Sequence, residues 1–83
     1  MNDILNGEIR IPFANECHAI IAYKTLIVDT EPRKELINKK LTLEGNTLIV
    51  NWNAKEAKTL RVSINSLLDH LDSILQTIQL FEN

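Results

Sequence analysis

The sequence predicts an α+β domain. Its core is a three-stranded, mainly antiparallel sheet with two helices on one face, in the order strand, helix, strand, strand, helix. Three observations carry this. Residues 5–13 and 47–53 alternate apolar and polar side chains with the period of two expected of a half-buried strand. From residue 57 to residue 81 the apolar positions Ala57, Leu60, Ile64, Leu67, Leu71, Ile74, Ile78 and Phe81 step by three and four without a break. That is the mark of one amphipathic helix, about 38 Å long. Between strand patterns, Glu44-Gly45-Asn46-Thr47 supplies residues that accept the positive φ of a tight hairpin turn.

Each element follows in order. In the first strand Leu5, Ile9, Ile11 and Phe13 point one way and Asn6, Glu8, Arg10 and Pro12 the other. Pro12 has no N–H for a ladder, so it marks a strand end or an open edge. Asn15 is a suitable N-cap for a helix running to about Ile27, with Glu16 in its first turn. Cys17, Ile20, Ile21, Lys24 and Ile27 trace one face of that helix; Ala19, Ala22, Tyr23 and Leu26 trace a second. A helix apolar on two sides is buried deeply or shared with a neighbour. Residues 29–35 form a charged connection with a helix-breaking proline. Residues 36–44 read as the second strand, with Ile37, Leu41 and Leu43 inward. In the third, Leu48, Val50 and Trp52 alternate with Thr47, Ile49 and Asn51. Asn53 is the expected N-cap of the long helix, and Lys55 and Glu56 its first turn. The hairpin strands 36–44 and 47–53 are the expected open edges.

The chain has 83 residues, so residues 1–83 read as one domain with a thin core. Hydrophobic content of 45% is that of a folded chain. The net charge of −2 creates no strong field toward nucleic acid or anionic lipid. A single cysteine, Cys17, excludes an internal disulfide and fits a reducing compartment. The N-terminus lacks a signal-peptide pattern. No apolar run approaches the ~20 residues of a membrane helix. Small size without staples makes a permanent partner a reasonable stabiliser.

Cys17 and His18 are adjacent on a helix and diverge by roughly 100°, so they do not share a metal. His70 between Asp69 and Asp72 reads as solvated helix surface. Cys17 sits on an apolar stripe and reads as a small buried hydrophobe rather than a nucleophile. With only Gly7 and Gly45, the chain has no phosphate-cradling loop. Hence no catalytic residue, metal site or cofactor is expected. Trp52, at an inward strand position, reads as core. Lys39, Lys40, Lys55, Lys58 and Arg61 could hold a few phosphates, diluted by Glu35, Glu44 and Glu56. Arg61, among apolar neighbours, suits a fixed pairing with a partner, or covers the sheet edge with its stem.

The ordered set Ile11-Pro12-Phe13, Ala22, Leu26, Asp29, Glu31, Gly45-Asn46-Thr47-Leu48, Ala54, Leu60-Arg61, Ser63, Asn65-Ser66 and Leu68-Asp69 resembles the Pcc family. This is the small dimerising subunit of the KEOPS (or EKC) complex, with the L antigen family among its vertebrate relatives. The resemblance runs from about Gly7 to Phe81. It implies a KH-like layered fold and a non-catalytic subunit that binds the complex's catalytic threonylcarbamoyl transferase through its helices. That enzyme modifies adenosine in tRNA. It also implies pairing through the sheet, with a second copy or with a small fifth subunit, and residence in cytoplasm and nucleus. Gly45 is not part of a G-x-x-G clamp, which departs from the KH mode of RNA binding.

The leading expectation is therefore an interaction and dimerisation subunit without activity of its own. The alternatives are a stand-alone KH-like RNA-binding module and a small enzyme with an unrecognised site. The helix groove expected to receive the catalytic partner holds Tyr23, Leu26, Leu67, Leu71 and Ile74. Periodicity alone leaves open which of these face the chain's own sheet. Auxiliary tRNA contact would fall to Lys39, Lys40, Lys55, Lys58 and Arg61.

Overall fold

The computed structural model describes residues 4–28 and 35–82. The connection expected at residues 29–35 lies, through residue 34, outside them. The elements are β1 (Leu5–Pro12), α1 (Glu16–Ile27), β2 (Ile37–Glu44), β3 (Thr47–Ala54) and α2 (Ala57–Glu82). The sheet order is β1-β3-β2, with both pairs antiparallel. β3 is therefore central. Of the two hairpin strands expected at edges, only β2 is one; β1 forms the other. The correction follows from hydropathy. β3 buries Leu48, Ile49, Val50, Trp52 and Ala54, more than an edge strand could shield.

The register sets rows across the inner face: Ile11–Leu48–Leu43, Ile9–Val50–Leu41 and Leu5–Ala54–Ile37. Two helices cover them. α1 packs on β2 and β3, and α2 on β3 and β1. Ala19 and Ala22 are fully buried, and their small side chains let α1 lie close to the sheet beside Leu26. α2 contributes Leu67, Leu71, Ile74 and Ile78 to the same core. Trp52 reaches up from β3, and its indole Nε1–H donates to Ser63 Oγ at 2.9 Å. Both groups are buried, so each satisfies the other in the apolar layer. On the opposite face of the sheet Ile49 is shielded, with Arg10 and Thr42 beside it in register.

Local chemistry fixes the element ends. Asn15 has extended backbone, and its Oδ1 accepts the His18 N–H at 2.9 Å, capping α1 as its position suggested. Gly45 turns the hairpin at φ 59°. Asn46 then ties the turn to β1: its Nδ2 donates to the Phe13 carbonyl at 2.8 Å, and its own carbonyl accepts the Phe13 N–H at 2.8 Å. The start of α2 departs from expectation. Asn53 is not its N-cap; it lies in β3, paired with Asn6 and Asn38. Pairing on both sides carries β3 to Ala54, so the helix waits until Ala57. Glu56 takes the capping place: its carbonyl accepts the Leu60 N–H and its carboxylate the Thr59 hydroxyl.

Candidate interaction surfaces

A groove of about 290 Å³ runs between the helices. α1 lines it with Ile21 and Thr25, and α2 with His70, Ser73, Ile74, Thr77 and Ile78. Its hydroxyls are turned back on their own helices. Thr25 donates to the Ile21 carbonyl at 2.8 Å, Thr77 to Ser73 at 3.0 Å, and Ser73 to Asp69 at 3.4 Å. In the two threonines such bonds to the residue four back leave the methyl group at the surface. Apart from His70, the groove is thus mainly apolar in effect.

The structure redistributes the residues expected here. Leu26, Leu67 and Leu71 face the chain's own sheet and are 1%, 3% and 7% exposed. They hold the domain together and are not free for a partner. Tyr23 is half-buried against the same core. Ile74, 9% exposed, is the one expected residue that also lines the groove. The open side belongs to Ile21, 48% exposed. Sequence reading had placed Ile21 on the other apolar face of its helix without assigning it to the groove.

A second cleft of about 300 Å³ lies on α2, lined by Ala57, Leu60, Arg61, Ile64 and Asn65. At 100° per residue these positions point away from the groove, toward the side of α2 beside β1. Leu60 lies over Gly7 of β1, 3.6 Å from where a Cβ would sit. Leu68 and Leu75, about two-fifths exposed, continue the stripe.

The cations expected to act together are dispersed. Lys39 and Lys40 are neighbours on a strand, so the pleat sends them to opposite faces. Lys39 is half-buried on the helix side, and Lys40 is exposed on the other. Lys55 is exposed after β3; Lys58 and Arg61 are exposed on the first turns of α2. On the outer sheet face Arg10 Nε donates to Glu8 at 2.9 Å. That hydrogen bond, and then the carboxylate charge, raises the guanidinium pKa above its ordinary value.

Cys17 is exposed, contrary to the buried position expected of it. It lies on the side of α1 opposite Ala19, Ala22 and Leu26, because only one of the two apolar faces of α1 meets the sheet. Among the described residues, no three His, Cys, Asp or Glu side chains converge as metal ligands would. Nor is any described helix long and apolar enough to cross a membrane.

The fold is thus a thin α+β layer with two mainly apolar clefts beside its long helix. Comparison with known proteins gives the class a family. A family model described as "Transcription factor Pcc1" matches residues 6–79. The human EKC/KEOPS complex subunit LAGE3 is 36% identical over 73 residues, covering 88% of this chain and 51% of that protein. An EKC/KEOPS complex subunit of Schizosaccharomyces pombe is 31% identical over 70 residues, covering 84% and 80%. The chain spans about half the length of the mammalian relatives it matches. A chain in the crystal structure of a binary complex, Gon7-Pcc1, superposes with a TM-score of 0.85 at 26% identity, covering 93% of this chain and 95% of that one. The chain belongs to the Pcc1 family, as the ordered residues from Ile11 to Asp69 had suggested, and shares its three-stranded antiparallel fold.

Proposed function

We propose that this chain is a non-catalytic interaction subunit of a KEOPS/EKC complex, working in cytoplasm and nucleus. It supports threonylcarbamoyladenosine modification of tRNA by holding the catalytic transferase subunit on the groove between α1 and α2. A free edge of its sheet receives a second small chain, either another copy or a fifth subunit. The observation that carries the docking is the groove itself. Its hydroxyls are satisfied within their own helices, and its lining from Ile21, Ile74 and Ile78 is apolar. Partner helices laid there would complete a bundle and cover surface that a small domain otherwise leaves wet. The relatives support the assignment, because their curated names place them in the EKC/KEOPS complex. The dispersal of Lys39, Lys40, Lys55, Lys58 and Arg61 weighs against a stand-alone RNA-binding module and leaves tRNA contact an auxiliary role.

The test is reconstitution. The purified catalytic subunit should bind the wild-type chain, and tRNA modification should rise when the chain is added. Modification that proceeds equally well without it would refute the proposal.

A further inference from the structure

We propose that Asp69 sets the charge and the register of what the groove receives: a helix of the catalytic subunit whose apolar ridge is interrupted by one lysine or arginine, placed to meet that carboxylate. This rests on the groove docking proposed above and names the chemistry of the docked segment.

The α2 wall is longer than the groove itself. At 100° per residue, Val62, Ser66 and Leu80 fall within about 20° of the groove residue Ser73, and Asp69 within about 40°. Val62 is 61% exposed and Leu80 78%, so an uncovered apolar residue stands beyond each end of the groove. The two lie about 27 Å apart along the helix, against about 18 Å for the whole of α1. An occupant that touches both is extended along α2, as a helix of about five turns would be.

One charge interrupts this wall. Asp69 is exposed, seven residues after Val62 and eleven before Leu80. Among the described residues no cation pairs with its carboxylate. The positions one turn away on α2 are Asn65, Ser66, Asp72 and Ser73, none of them basic. Ser73 gives its hydroxyl to the Asp69 carbonyl, not to the side chain. Asp72 differs on both counts. Its carboxylate accepts the Gln76 amide at 3.2 Å, and it lies about 100° from Ser73, on the side of α2 away from α1.

That carboxylate restricts what can dock. A wholly apolar ridge laid along the wall would take it out of water unpaired, which is costly. A cation of the occupant within reach of Asp69 removes that cost and makes a charge-assisted hydrogen bond. An apolar helix without one is rejected, so the residue discriminates as well as attracts. Its off-centre place also fixes direction. On an occupant parallel to α2 the cation follows the first apolar anchor by about seven residues, and on an antiparallel one by about eleven.

Calorimetric titration of the purified catalytic subunit with this chain, at about 50 and about 500 mM sodium chloride, tests the pairing. Asp69→Asn should weaken binding about tenfold at the lower salt, and Asp72→Asn should stay within about twofold of wild type. Raising the salt should weaken the wild-type complex severalfold and leave Asp69→Asn nearly unchanged. Asp69→Leu should bind more weakly than Asp69→Asn, because it covers the occupant's cation with an apolar side chain. Circular dichroism shows that each variant is folded. Wild-type affinity from Asp69→Asn, an equal loss in Asp72→Asn, or tighter binding by Asp69→Leu overturns the proposal and leaves the docking standing. A wild-type chain that does not bind the subunit overturns the docking and this inference with it.

Discussion

The Trp52–Ser63 bond should be worth more to stability than any exposed polar contact in the domain. Ser63→Ala removes the acceptor of a 2.9 Å bond and leaves without it the indole N–H of Trp52, a residue 1% exposed. Leaving a buried donor unsatisfied costs about 1–3 kcal/mol. The helix itself is not weakened by the change, since alanine is a good helix former and the position lies within α2. A central value of about 2 kcal/mol is a large share of the roughly 4–12 kcal/mol expected for a domain of this size. It corresponds to a fall in Tm of about 8–16 °C. Urea unfolding followed by far-ultraviolet circular dichroism, at fixed protein concentration, measures it directly. Trp52→Phe, alone and with Ser63→Ala, separates the bond from packing. If Ser63→Ala unfolds at the wild-type urea midpoint, the bond does not stabilise the fold and the reasoning fails.

Leu71→Glu puts a carboxylate where a side chain is 7% exposed in the domain's own core. It should cost about 4 kcal/mol or more and leave a largely unfolded chain by circular dichroism, not a folded one that fails to bind. Gly45→Ala should cost about 1 kcal/mol in urea unfolding. Its Cβ would meet nothing within 4 Å, so the cost comes from φ 59° alone. Gly7→Ala, whose Cβ would make ordinary contact with Leu60, should stay within about 0.5 kcal/mol of wild type.

Much of the fold was legible because one face of each element meets water. The alternation of Leu5, Ile9 and Ile11 and the three–four steps from Leu60 to Ile78 record that geometry directly. The caps and turns were legible where one side chain does the work, as at Asn15 and Gly45. Strand order was not, because period two marks a buried face and says nothing of which neighbours a strand has. The burial of Ile49 on the far face was the available sign that β3 is central. The start of α2 was misplaced for a related reason: Asn53 is a good cap locally, but ladder pairs to Asn6 and Asn38 hold it in the sheet. The groove was legible as a place and not as a residue list. A stripe that both packs and docks has one hydropathy pattern, so Leu67 and Leu71, which pack, could not be told from Ile74, which also lines the groove. Ile21 and Cys17 shared an apolar face that the sheet leaves outside.

The central claim is that the groove between α1 and α2 holds the catalytic subunit, and Ile21→Glu tests it most directly. Ile21 is 48% exposed, so the substitution should leave the domain folded. Covering the exposed half of an isoleucine contributes about 1 kcal/mol, and burying an unpaired carboxylate in its place costs further. Titration calorimetry with the purified catalytic subunit should show binding weakened about 100-fold relative to wild type. Wild-type affinity from a folded Ile21→Glu chain would contradict the account.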